Sequence, residues 1–176
     1  VNLKVSDGTV SNDITQTITI NLQDKSESPI INMSDFTYDF EENKTTSDVI
    51  VTILGEDEDG DDLSWSISNS SNNDGGIFSI SETSSSSGTS YADLKFTSVP
   101  DYETQTDNGT SDGVYDVTVK LQDDSSGNPY QEQTFSITIT DVNEAPTASV
   151  ITNSVGEDID RSSTAAIELK ATDVDA

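Results

Sequence analysis

Asp141-Val142-Asn143-Glu144-Ala145-Pro146 closes one run of alternating apolar residues and opens the next. A similar peptide, Asp24-Lys25-Ser26-Glu27-Ser28-Pro29, lies 117 positions upstream, a spacing that calls for a long internal repeat. Other acidic landmarks recur in nearly the same register. Asp7 and Asp123 each end an alternating run and stand 116 apart, and the pairs Asp57/Asp59 and Asp173/Asp175 are also 116 apart. Glu42-Asn43 and Glu157-Asp158 each follow an alternating run at a separation of 115.

This register divides the chain. Residues 1–29 read as the C-terminal strands of one unit, 30–146 as a complete unit, and 147–176 as the N-terminal strands of a third. A unit of roughly 115 residues can bury a proper core, whereas flanks of about two strands each cannot. The chain is expected to be an excerpt from a tandem array.

Composition narrows the chemistry. The chain carries 34 acidic and 7 basic residues, a net charge of −27, which argues against nucleic acid and anionic membrane surfaces as partners and for cations. Without cysteine there is neither a disulfide framework nor a thiolate site; without histidine the commonest general base and the usual ligand of zinc, copper or iron are missing. Hard, oxygen-ligated ions such as calcium remain as metal candidates. No apolar run approaches the 18 or so residues of a membrane span.

Period-two alternation sets the fold class. Val1, Leu3 and Val5, then Ile14, Ile18, Ile20 and Leu22, read as the last hairpin of a sandwich. In the central unit the expected inner faces are Phe36/Tyr38/Phe40, Val49/Val51/Ile53, Leu63/Trp65/Ile67, the short strand Ile77–Ile80, Ala92/Leu94/Phe96, Tyr115/Val117/Val119/Leu121 and Phe135/Ile137/Ile139. The serine-rich stretch from Thr83 to Thr89 reads as a loop with no visible reason to be ordered. Seven strands with turn signals between them, and no helical stripe, predict an all-β, antiparallel Greek-key sandwich of immunoglobulin-like type.

The acidic landmarks fall at strand ends, and strands of a Greek key alternate in direction. Glu42, Asp101, Glu103 and Asp141 are therefore expected at the downstream pole of the central sandwich, and Asp57, Asp59 and Asp123 at its upstream pole. Stacked units would bring one downstream cluster against the next upstream cluster, with the linker peptide between. Two carboxylates about 5 Å apart repel by roughly 3 kcal/mol at an effective dielectric of 20, so such a junction needs counter-charge. Calcium, with its six to eight oxygen ligands in flexible geometry, suits a mixed set of Asp, Glu and Asn better than magnesium does.

The same landmarks resemble the cadherin repeat. Glu42-Asn43 is similar to that family's P-E-N segment, Asp57-Glu58-Asp59 to its D-x-D, Pro100-Asp101-Tyr102-Glu103 to its L-D-R-E, Gln122-Asp123 to its A-x-D, and Asp141 to Pro146 to its D-x-N-D-N-A-P linker. The resemblance implies a rod of sandwiches, rigidified by up to three calcium ions at each interface and used for adhesion. It makes Glu42, Asp101, Glu103, Asp141, Asn143, Glu144, Asp173 and Asp175 the candidate ligands of the second junction. Asp24, Glu27, Asp57, Asp59 and Asp123 are those of the first. Both linkers are one residue shorter than the family's pattern, and Ser26 stands where the second linker has Asn143, so a site using that amide oxygen is expected to be weaker at the first junction. The larger donor set predicts tighter binding at the second. Trp65 lies mid-strand and does not match the tryptophan that some cadherins exchange between cells, so that mode of dimerisation does not carry over. In style, the Asx-rich, lysine-poor units are more similar to the cadherin-like repeats of bacterial surface adhesins.

The expected function is a non-enzymatic, calcium-dependent adhesion or spacer module of an extracellular or cell-surface protein. Its expected partners are calcium ions, adjacent repeats of the same chain, and a second copy, another surface protein or a glycan. Two alternatives stand beside it: a carbohydrate-binding module using exposed Tyr91, Tyr102 or Tyr130, and a calcium-independent spacer. Asp61, Asp62, Asp74, Asp107 and Asp112 read as ordinary solvated loop residues.

Overall fold

The computed structural model describes residues 1–9, 14–23, 25–68, 74–105, 107, 112–149 and 170–175. The strands of the central unit are β3 (Ile30–Ile31), β4 (Thr37–Glu41), β5 (Val51–Glu56), β6 (Leu63–Ile67), β7 (Phe78–Ser86), β8 (Thr89–Phe96), β9 (Val114–Asp123) and β10 (Tyr130–Thr140). They form two four-stranded sheets, β3-β5-β8-β7 and β4-β10-β9-β6. Two hairpins flank them, β1 (Asn2–Val5) with β2 (Ile14–Thr17), and β11 (Thr147–Ser149) with β12 (Lys170–Thr172).

Alternation places the core where the sequence puts it. Along β9, Tyr115, Val117, Val119 and Leu121 are fully buried, and along β10 Phe135, Ile137 and Ile139 face them from the neighbouring strand. The two sheets meet at Phe96 of β8. Its ring lies 5.1 Å from Phe40 and 6.2 Å from Tyr115, both of the opposite sheet, and 4.6 Å from Phe78 of its own. Such aromatic contacts add about 0.5–1.5 kcal/mol each beyond the apolar area they bury. Gly55 leaves room for this packing: a Cβ there would sit 2.7 Å from both Leu121 Cδ2 and Trp65 Cζ2. Trp65, half-buried against the core, donates its indole N–H to Ser90 Oγ at 2.8 Å.

Four features differ from the sequence reading. The first strand is split, with Ile30–Ile31 joining β5 in one sheet and Thr37–Glu41 joining β10 in the other, and the β4–β10 pair is parallel. Only two residues pair before the switch, too short a run for periodicity to reveal. The stretch 83–89 is ordered, because β7 and β8 form a hairpin closed at Ser86 and Thr89, in which backbone pairing rather than side-chain pattern makes the strand. Its turn residues Ser87 (φ 36°) and Gly88 (φ 72°) both have positive φ, as tight hairpin turns favour. Val49 lies before β5 and is exposed, so the inner face begins at Val51 and Ile53. In the first flank β2 ends at Thr17, and Ile18, Ile20 and Leu22 are exposed.

The flanking hairpins repeat the register of the central unit. Asn2 pairs with Thr17 as Thr118 pairs with Thr134, offsets of 116 and 117, and in both pairs the side chains hydrogen-bond, at 2.9 and 3.0 Å. Thr147 pairs with Thr172 as Ile30 pairs with Glu56, offsets of 117 and 116.

Candidate metal centres

At the upstream pole two inward-facing periods run past their strands and end in carboxylates. Asp123 continues the buried face of β9 and is only 2% exposed; Asp57 follows Ile53 and Gly55 on the inner face of β5. Asp57 Oδ1 accepts the backbone N–H groups of Asp59 (2.9 Å), Gly60 (3.1 Å) and Asp61 (3.3 Å), which folds the loop around one oxygen. Gly60, at φ +82°, supplies the left-handed residue that this bend requires. Asp123 Oδ1 accepts from the N–H and hydroxyl of Ser125, at 2.9 and 2.7 Å. The other oxygen of each, Asp57 Oδ2 and Asp123 Oδ2, is buried with no hydrogen-bond partner.

Asp57, Asp59 and Asp61 can each bring a carboxylate oxygen within 4.8 Å of the other two. Burial, and then the charges of Asp57, Asp123, Asp124 and Asp59, push the Asp61 carboxyl above its usual range. Asp61 is thus drawn into the cluster, contrary to its reading as a solvated loop residue. The overlooked signal is the turn at Gly60, which directs the following residue back toward Asp57. The first linker reaches this pole twice, through Glu27 N–H to Asp59 Oδ2 at 2.8 Å and through Ser26 Oγ to Ser125 Oγ at 2.6 Å. Asp24 lies outside the described residues.

At the downstream pole Glu42 ties two segments together, accepting from Tyr102 N–H on Oε2 (2.7 Å) and from Val142 N–H on Oε1 (2.8 Å). Two triads of carboxylates form here, each residue with one oxygen within 4.8 Å of one oxygen of the other two, Glu42/Glu103/Glu144 and Glu103/Asp141/Asp175. Glu103 belongs to both. Although the residue is exposed, partial loss of hydration around its carboxyl, and then the charges of Glu42, Asp101 and Asp141, hold it above the usual range. Glu144 is pushed up to about 7, by burial first and then by Glu42, its contacts with Asp175, and Glu103, and its Oε2 is buried without a partner.

The remaining predicted residues shape the loops. Asp101 Oδ1 accepts from Glu103 N–H (3.0 Å) and Thr104 N–H (3.1 Å); a hydrogen bond from the Thr104 side chain foremost, and then these backbone bonds, hold its carboxyl below the usual range. Asp173 Oδ1 accepts Asp175 N–H at 3.1 Å. Asn143 Nδ2 donates to the Glu144 carbonyl at 2.7 Å. Neither Asp107 nor Asp74 is a free loop carboxylate. Asp107 is buried and accepts the N–H groups of Asp112 and Gly113, both at 2.9 Å, while Asp74 accepts from Asp116 N–H. Tyr91, Tyr102 and Tyr130 are exposed.

The two junctions are built alike. Glu27 N–H donates to Asp59 Oδ2 at 2.8 Å, and Glu144 N–H donates to Asp175 Oδ2 at 2.9 Å, the same contact displaced by 117 and 116 residues. In structural comparison the chain superimposes on protocadherin gamma B2 extracellular cadherin domains 3–6, with a TM-score of 0.59 over 98% of its length at 18% identity. It has a cadherin-like repeat fold. Drosophila N-cadherin EC1–4 gives a TM-score of 0.55 over 85% of the chain at 23% identity, and mouse cadherin-23 EC22–24 gives 0.50 over 84% at 17%. The chain spans only 38%, 34% and 44% of these cadherin structures. No protein-family model and no curated protein matches the sequence. The cadherin-like fold gathers the carboxylates of the 57–61 loop beside Asp123 at one pole, and those of Glu42, Glu103, Asp141, Glu144 and Asp175 from four segments at the other, and these groups all offer oxygen. A buried carboxylate oxygen with no donor is costly, and a divalent cation of the calcium type would satisfy it.

Proposed function

We propose that this chain is a calcium-dependent spacer and adhesion module, a complete cadherin-like repeat at 30–146 between the ends of two others, within an extracellular rod. The observation that carries the reading is the set of buried, partnerless oxygens, Asp57 Oδ2 and Asp123 Oδ2 at one junction and Glu144 Oε2 at the other. At the first junction the ion would be held by Asp24, Glu27, Asp57, Asp59, Asp61 and Asp123. At the second, Glu42, Glu103, Asp141, Glu144 and Asp175 would hold it, with Asp101, Asn143 and Asp173 nearby. Calcium neutralises the crowded carboxylates and ties linker to pole. Because it binds the folded junction and not the open chain, it stabilises the extended array in proportion to its concentration. The adhesive partner would be a neighbouring copy, another surface protein or a glycan.

Thermal unfolding in millimolar calcium, in excess chelator, and in magnesium tests this. A calcium-specific rise in melting temperature, diminished in Glu103→Ala, is the expected result; equal melting in all three conditions overturns the reading and leaves a calcium-independent spacer. One observation favours a glycan-binding role as second reading, an open cavity of about 470 Å³ lined by Tyr102, Glu103, Thr104, Gln105 and Asp112. Glycan binding that survives loss of calcium but fails in Tyr102→Ala would establish it.

A further inference from the structure

The tip of the β7–β8 hairpin does more than turn the chain. Beyond the last pair of the β5–β8 ladder, Glu56 with Thr89, the pairing gains one more bond, from Asp57 N–H to the Gly88 carbonyl at 2.6 Å. The turn thereby abuts the acidic loop directly. A Cβ on Gly88 would sit 2.5 Å from the Asp57 carbonyl oxygen and 2.7 Å from Gly60 Cα, and at φ +72° any side chain is strained. The contacts are with backbone, which cannot swing aside as the end of a flexible side chain would.

We propose that Gly88 is a positioning residue for the first junction: the hairpin tip grips the backbone of the Asp57–Asp61 loop and holds its carboxylates in their ion-binding arrangement before the ion arrives. Three consequences of the grip are visible. The Asp57 backbone is fixed by Gly88, its Oδ1 then collects three backbone N–H groups, and its Oδ2 is left buried without a hydrogen-bond partner. A site assembled in this way does not spend binding energy on ordering its own loop, which is how supporting contacts raise affinity without touching the ligand. The serine-rich hairpin thus has a role that its side chains do not announce.

The inference rests on the calcium reading above, and the test separates the two. Calcium is titrated into this chain while the amide resonances of Gly60, for the first junction, and Val142, for the second, are followed by NMR. Gly88→Ala is compared with Gly8→Ala, a glycine of similar positive φ whose Cβ would meet nothing within 4 Å. The expected result is a loss of about 10- to 100-fold in the calcium affinity reported by Gly60 in Gly88→Ala only, with the Val142 response unchanged. Equal weakening at both junctions, or at neither, overturns the positioning role. If neither resonance responds in the unaltered chain, the calcium reading falls and the inference with it. Should Gly88→Ala fail to fold, hydrogen exchange of the unaltered chain in chelator decides. A protected Asp57 amide supports the grip, and exchange at the rate of an open chain overturns it.

Discussion

The two poles of the central sandwich hold carboxylates in opposite ways. Upstream, short aspartates extend the buried faces of β5 and β9, and their first oxygens are consumed by backbone N–H groups of their own loops. Downstream, longer glutamates arrive from separate segments, with Glu103, Asp141 and Asp175 exposed and Glu42 bonded to two loops at once. The first arrangement is fixed by the fold. The second is assembled by electrostatics, and it should therefore respond more to charge, pH and ligand.

The largest expected effect is the removal of the shared glutamate. Among the described residues, Glu103 sits in both downstream triads, whereas Asp123 belongs to none of the groups of mutually close oxygens. Calorimetric titration should show Glu103→Ala lowering calcium affinity by about tenfold or more, since ligand charge sets the affinity of such sites. Asp123→Ala should cost less. The reverse order would break the contrast between a rigid and an assembled cluster.

The next effect is on pH dependence without calcium. The Glu144 carboxyl titrates at 4.5 when unperturbed and at about 7 in the fold, so the folded state holds its proton more tightly than the unfolded chain does. Its contribution to stability is then fully present below pH 4.5 and is lost as pH rises through about 7. Melting in chelator across this window should show a decline that Glu144→Gln flattens and calcium abolishes; an unchanged slope in Glu144→Gln would assign the titration elsewhere. The smallest effect concerns the linkers. Ser26→Asn gives the first linker the amide that Asn143 gives the second, and should tighten calcium at the Gly60 resonance by about 2- to 10-fold, about 0.5–1.4 kcal/mol or the worth of one hydrogen bond. No change, or a loss, would show that the bond between Ser26 and Ser125 matters more than the added amide.

Alternation and recurrence made most of this legible. Tyr115, Val117, Val119 and Leu121 announce a buried face, and an acidic residue at the next odd position, Asp123, is thereby carried to the pole. The register of Asp57/Asp59 with Asp173/Asp175 anticipates a contact that the two linkers indeed repeat. What the sequence hid depends on backbone rather than side chains. The pattern of Ser84, Ser85 and Ser86 carries no apolar period, yet these residues pair with β8 through main-chain bonds. Asp61 and Asp107 look like any loop acid, because the turn at Gly60 and the N–H groups of Asp112 and Gly113 that recruit them are set by conformation. The two-residue strand β3 is too short to have a period at all.

The split first strand has a mechanical consequence. β4 lies parallel to β10 through five register pairs, from Thr37 with Ser136 to Glu41 with Thr140. Tension along the chain enters through the segment before β4 and leaves through the one after β10, so it drags these neighbours in opposite senses. Their hydrogen bonds are then loaded sideways and together, not unzipped one at a time from an end. A unit stitched in this manner yields when several bonds fail at once and not one by one.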